Sequence, residues 1–330
     1  MDLDFFVNEI IKYLSPKSCD RNIAFSPYGI SKALTMILVG STKETSNQIF
    51  KAFGIEADQR MSKLESLLNK IQPPTSRLVE DKTFNGLYPA RNDPVVRSEY
   101  MEMLETFGCQ LKKMSKATKA DHEECEKTVS DLTADFTQYE IKKNMTKFIT
   151  DSSTRIMIVS IVNFKTNWST NFQTRTDWFV NNDGTRIKVP MMYKVDTSGK
   201  LKSFFDENSK TTCLELPFSD NEHSMWFFKR EGASLGKDFS VDQMRYLMRR
   251  SYDRAEVTIL IPIFKLDYEA DLKYCLQKYG MTHMFDPAKA SLFALTDERG
   301  VHVSDIFHKA TVELNAEGTE AKLGKLFNFY

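Results

Sequence analysis

His308 opens the stretch His-Lys-Ala-Thr-Val-Glu-Leu-Asn-Ala-Glu-Gly-Thr-Glu-Ala, and of the five histidines it alone stands in a patterned setting. The segment starts like a β-strand, passes through a glycine turn and runs on to Tyr330. An imidazole can serve as a base, a metal ligand or a buried hydrogen-bonding group, and its neighbours decide which. His122 and Cys125 in His-Glu-Glu-Cys offer two metal ligands. A structural zinc site needs four, and no second pair follows at a fitting spacing, so this stretch reads as a polar helix surface and no metal or other cofactor is expected. His223, His283 and His302 each stand alone. The chain carries no Gly-x-Ser-x-Gly elbow, no phosphate-cradling glycine loop and no His-Glu-x-x-His helix, so enzymatic chemistry is not indicated.

The elements that must position His308 belong to a chain of 330 residues, 41% hydrophobic and 12% aromatic, enough for a large core. Lys plus Arg and Asp plus Glu both total 45, so no net field favours nucleic acid or an anionic membrane. The basic clusters at Lys112, Lys113, Lys116 and Lys119 and at Arg249, Arg250 and Arg254 read as solvated faces. Met-Asp-Leu-Asp-Phe-Phe-Val-Asn-Glu-Ile-Ile-Lys at the start is acidic and helically spaced, unlike a secretory signal. With no spanning apolar run and five scattered cysteines (Cys19, Cys109, Cys125, Cys213, Cys275), a reducing cytoplasm is the expected setting. No repeat or linker divides the chain, and residues 1–330 read as one domain.

Tyr28 to Val39 carries Ile30, Leu34, Ile37 and Leu38 on one helical face. Ile156 to Phe164 and Val257 to Phe264 are nearly unbroken apolar runs, expected as strands covered on both faces in the centre of sheets. Glu269 to Gly280 reads as a helix stopped by its glycine. The class is α+β with large sheets.

Six segments together resemble the serpins, the protease inhibitors that insert a loop into a sheet. Asn22 to Leu34 (Asn-Ile-Ala-Phe-Ser-Pro-Tyr-Gly-Ile-Ser-Lys-Ala-Leu), Phe164 to Trp168, Val189 to Met192, Leu214 to Met225 and Ile261 to Lys265 follow in the family's order, and His308 to Ala321 resembles its strand and hinge. Intracellular and poxvirus-type members are the most similar. The resemblance implies a large central β-sheet, further sheets and about eight to nine helices. It also implies that residues 308–330 are strand, hinge and the upstream part of a reactive loop, with the scissile bond and final strands lying past Tyr330.

In that reading Ala316, Glu317, Gly318, Thr319, Glu320 and Ala321 form the hinge, and Lys322, Leu323, Gly324, Lys325 and Tyr330 belong to the loop. Insertion needs flexibility at Gly318 and small inward side chains at Thr319 and Ala321, after which alternation turns Leu323 and Lys325 inward. Burying an unpaired ammonium at Lys325 costs several kcal/mol unless the side chain reaches out or insertion stops short. Ala316 replaces the family's usual Glu, and Lys322 stands where a small residue is usual. By resemblance, His308 joins Ser26 from the first buried strand and Ser160 from a central strand in a cluster that gates sheet opening; a catalytic Ser/His pair lacks a carboxylate to orient the ring.

Two functions stay open. The first is inhibition of serine or cysteine endopeptidases by loop insertion, including a viral inhibitor acting on host proteases, with cleavage near Lys325 or Tyr330 if the bond lies within the chain. The second is a non-inhibitory serpin-fold binding protein that takes a strand from a partner or self-associates.

Overall fold

A computed structural model describes residues 7–11, 22–59, 64, 66, 84–89, 96–106, 110–111, 123, 127, 156–181, 183–232 and 239–329. Residues 7–11 are helical and bury Ile10 in the main core. The remainder of the expected N-terminal helix lies outside the described residues, as do His122, Cys125, Cys19 and Cys109.

Helix α1 (Pro27–Gly40) starts where the Ser26 side chain accepts the Gly29 N–H, with Pro27 at the first helical position, where its missing N–H costs nothing. Its pattern predicts one apolar face, yet every residue from Gly29 to Gly40 is buried, Lys32 included. The helix lies beneath the largest sheet and is packed by helices α2 (Lys43–Ala52) and α3 (Ser98–Thr106). At its end a Cβ on Gly40 would stand 2.8 Å from Leu295 Cβ, so close packing reserves this position for glycine. Helices α4 (Val241–Arg250) and α5 (Lys273–Lys278) follow later in the chain.

The strands are β1 (Phe84–Pro89), β2 (Gln110–Leu111), β3 (Ile156–Asn167), β4 (Gln173–Val180), β5 (Arg186–Asp196), β6 (Leu201–Asp206), β7 (Thr211–Pro217), β8 (Ser224–Arg230), β9 (Tyr252–Arg254), β10 (Val257–Pro262), β11 (Phe264–Asp271), β12 (Val303–Leu314) and β13 (Gly318–Phe329). They form a six-stranded sheet in the order β11-β12-β13-β3-β1-β2, a three-stranded sheet β10-β5-β4 and a four-stranded sheet β8-β7-β6-β9. The main core lies between the six-stranded sheet and the helices, and a second core around Trp168, Met192 and Phe218 joins the three sheets.

Ile156 to Phe164 is a central strand, as expected, paired on both sides. Val257 to Phe264 departs from expectation in two ways. It breaks at Ile263, whose N–H bonds Pro190 O at 2.9 Å, so that one run serves two sheets, and β10 and β11 are both edge strands. An apolar run is equally compatible with an edge whose outer face meets solvent, and Leu260 is 37% exposed there. The expected helix at Glu269 begins only at Lys273, because Glu269 to Asp271 continue pairing with β12. Gly280 ends this region at φ 99°, in the left-handed region that favours glycine. Among the described residues no helix is long and apolar enough to cross a membrane, and no group of three or more His, Cys, Asp or Glu could hold a metal ion.

Candidate functional site

The hinge glycine begins a strand inside the largest sheet. Residues Asn315 to Gly318 make a tight reversal: Asn315 N–H donates to Gly318 O at 3.1 Å. The Asn315 side chain stabilises the turn, its Oδ1 accepting from the N–H groups of Glu317 and Gly318 at 2.9 Å each. The chain then returns as β13, antiparallel to β12 on one side and to β3 on the other. Every residue from Thr319 to Phe329 has a register partner on both sides.

Trp168, one residue past β3, holds this turn. Its backbone N–H donates to Glu317 O at 3.0 Å and its indole Nε1–H to Asn315 O at 2.9 Å. The ring stacks on Phe218 with centroids 4.9 Å apart, and Ala316 packs against the same cluster. Gly318 passes so close to β3 that a Cβ would fall 2.1 Å from Thr166 O. Closeness to the backbone, more than a special dihedral, makes this a glycine position. Thr319 is 3% exposed, in register with Thr166 and Leu314, so it faces inward as alternation predicts. The hydroxyls of Thr166 and Thr319 have no hydrogen-bond partner among the described residues. Each such buried group costs about 1–3 kcal/mol.

His308 is 1% exposed, and its Nε2 accepts the Ser26 backbone N–H at 3.2 Å, tying β12 to the start of α1. Ser26 caps a helix here, where a strand was expected, and its hydroxyl oxygen is committed to Gly29 N–H. Ser160 and His308 do not adjoin: Lys325 is in register with both, so β13 runs between them. Two strand spacings separate their backbones by about 9.5 Å. Of the three expected cluster members, the fold joins Ser26 to His308 and places Ser160 one strand further away.

The strand also does not stop short at Lys325, but continues through Phe329. Ending earlier would leave facing backbone groups of β12 and β3 without partners, a cost repeated at each residue. Glu317 is exposed, Ala316 and Asn315 are half-buried, and Tyr330 lies outside the described residues. The backbone of Glu320 to Lys325 is part of β13.

Sequence reasoning missed the support beside this site. Asp220, its side chain 1% exposed, accepts from the Glu222 and His223 N–H groups at 3.0 Å and pairs with His223 Nδ1 at 2.7 Å. Burial pushes its carboxyl up, but those N–H groups and the imidazole outweigh burial and hold it below the ordinary carboxylate value. The pair turns β7 into β8 next to Phe218, on which Trp168 stacks. In sequence this turn lies within Leu214 to Met225, one of the family-like segments, and its composition Ser-Asp-Asn-Glu-His suggests a turn but not the Asp220–His223 pair.

The family model described as Serpin (serine protease inhibitor) matches residues 2–326. Human Serpin B8 is 28% identical over 326 residues, which cover 96% of this chain and 85% of that protein. Horse leukocyte elastase inhibitor is 29% identical over 337 residues, with 96% and 85% covered. The solved structure of reaction-loop-cleaved lamprey angiotensinogen superimposes with a TM-score of 0.81 at 21% identity, covering 99% of this chain and 97% of that one. Sheet order, the hinge turn and the family match across nearly the whole length agree: the chain belongs to the serpin family.

Proposed function

We propose that this chain inhibits serine endopeptidases by inserting the segment that follows Gly318 into its largest sheet. The observation that carries the reading is β13 itself, a strand that leaves a glycine turn and lies between β12 and β3 with partners on both sides. A segment able to occupy that slot gains two ladders of backbone hydrogen bonds and buries Thr319, a favourable change that can be coupled to displacing a protease attached to the loop. The family description, serine protease inhibitor, supports the serine class, and leukocyte elastase inhibitor among the relatives supports inhibition. Cysteine endopeptidases, a viral source with host proteases as targets, and cytoplasmic residence complete the proposal. The role is non-enzymatic: His308 accepts a backbone N–H from Ser26, an arrangement suited to holding a helix start, not to activating a hydroxyl.

A second reading, a non-inhibitory serpin-fold binding protein, is favoured by one observation: β13 lies between β12 and β3, and a segment held in that place is unavailable to a protease. Ala316 and Lys322 depart from the inhibitory hinge pattern in the same direction. The two readings separate on a denaturing gel after incubation with serine and cysteine proteases. A detergent-resistant adduct supports inhibition; cleavage or inertness without an adduct supports the binding protein.

A further inference from the structure

The three-stranded sheet ends at β4, which among the described residues pairs only with β5. That pairing runs without a register shift from Gln173 to Val180, so no bulge twists the edge away. Two hydrogen bonds show which backbone groups face the open side. Ile263 N–H donates to Pro190 O, directing even-numbered β5 residues toward β11 and β10 and odd-numbered ones toward β4; Asn181 N–H to Thr185 O continues the same pattern past the last pair. Odd-numbered β4 residues therefore bond to β5. Thr174, Thr176, Trp178 and Val180 turn their N–H and C=O groups outward.

Sheet edges are normally blunted by proline, a bulge, a covering segment or charged side chains, lysine above all, and the two charges of β4, Arg175 and Asp177, pair with each other. Gln-Thr-Arg-Thr-Asp-Trp-Phe-Val contains neither proline nor lysine. It instead presents apolar surface, with Trp178 48%, Phe179 37% and Val180 58% exposed, beside Ile187 at 44%. This is the composition of a strand that accepts another.

Its charges select the occupant. Arg175 and Asp177 flank Thr176 on one face, where Arg175 Nη2 lies 2.7 Å from Asp177 Oδ2. When a second β4 is laid antiparallel about a two-fold axis at Thr176, Arg175 of each copy faces Asp177 of the other. Thr176 meets its counterpart, and Thr174 meets Trp178, in backbone-bonded positions. Moving the axis by one residue places Arg175 against Arg175 or Asp177 against Asp177, like charges directly opposed. In the single chain Asp177 Oδ1 accepts the outward Trp178 N–H at 2.7 Å. Pairing transfers that N–H to Thr174 O of the second copy and lets the carboxylate bridge two guanidinium groups.

We propose that the β4 edge is a self-association surface at which two copies of this chain join their three-stranded sheets into one continuous sheet, in register about Thr176. The inference is independent of whether the chain traps a protease.

Sedimentation and light scattering of the 330-residue chain test it, from about 1 to about 100 µM, where interfaces of modest area assemble. The expected result is a concentration-dependent dimer. Thr176→Pro removes an outward N–H that β5 does not use, so it should yield monomer with unchanged far-ultraviolet circular dichroism. Arg175→Asp opposes like charges at both symmetric positions and should weaken the dimer about tenfold or more, while the double exchange Arg175→Asp with Asp177→Arg should restore it. Monomer at every concentration, with or without a co-purified peptide, overturns the proposal. So does a dimer unaffected by both Thr176→Pro and Arg175→Asp.

Discussion

Trp168 and Asn315 lie 147 positions apart in sequence and are joined by a 2.9 Å hydrogen bond from the indole to a backbone carbonyl. Trp168 directly follows β3, the strand on one side of β13, and Asn315 begins the turn that enters β13. The bond therefore fastens the turn that leads into β13 to the end of β3.

Trp168→Phe keeps an aromatic ring against Phe218 and deletes the indole donor. The expected loss is about 1–2 kcal/mol, one hydrogen bond together with a partly buried carbonyl left without it. A lower urea midpoint at unchanged slope reads this directly. An unchanged midpoint would show that the bond does not contribute.

Gly318→Ala sets a methyl group against the Thr166 carbonyl, where an ideal Cβ stands 2.1 Å away. Since the obstacle is backbone, the start of β13 must shift, at a cost of about 3 kcal/mol. Limited proteolysis should cut the segment after Gly318 sooner in the variant than in the wild type, and equal rates would count against the close approach.

Thr319→Arg tests the inhibitory reading through the same slot. Thr319 is 3% exposed between two paired strands, and an unpaired guanidinium there costs several kcal/mol. If the wild type forms adducts with a protease, the variant should be cleaved without forming them. Undiminished adduct would mean that trapping does not require Thr319 to enter the sheet.

Acid stability should depend on three carboxylates at successive strand connections, β5 to β6, β6 to β7 and β7 to β8. Asp196 is held below the ordinary value of 3.8 because Ser198 and Lys194 outweigh burial, and Asp206 because the Ser209 hydroxyl and N–H bond it. Asp220 is depressed too, with burial overcome by the His223 and Glu222 N–H groups. A folded value below the unfolded one contributes stability that is complete above 3.8 and lost as the pH falls through the depressed values. Urea midpoints measured between about pH 5 and about pH 2 should fall with acidification. Asp206→Asn with Asp220→Asn should flatten that fall, and an unaltered slope would refute the assignment.

Local pattern determined much of this protein. Tyr28 to Val39 is helical because Ile30, Leu34, Ile37 and Leu38 recur on one face, Ile156 to Phe164 is a strand because β-branched residues suit a pleat covered on both faces, and alternation from Gly318 turns Thr319 inward. The family motifs likewise made the candidate hinge visible before any geometry. What the sequence could not settle were choices among distant partners. Nothing near Gly318 says that β13 lies between β12 and β3, because its neighbours are selected by backbone bonds to residues as far away as Ile156. Separation of Ser160 from His308 follows from that choice alone. Helix α1 shows one apolar face in sequence and is buried all round, since helices and a sheet close over its polar side as well, and Val257 to Phe264 divides between two sheets at a backbone bond to Pro190. Periodicity reports which side of an element avoids water. Only the packed chain decides what covers that side and which edge stays open, as β4 does among the described residues, because those outcomes depend on the summed contacts of segments that periodicity treats one at a time.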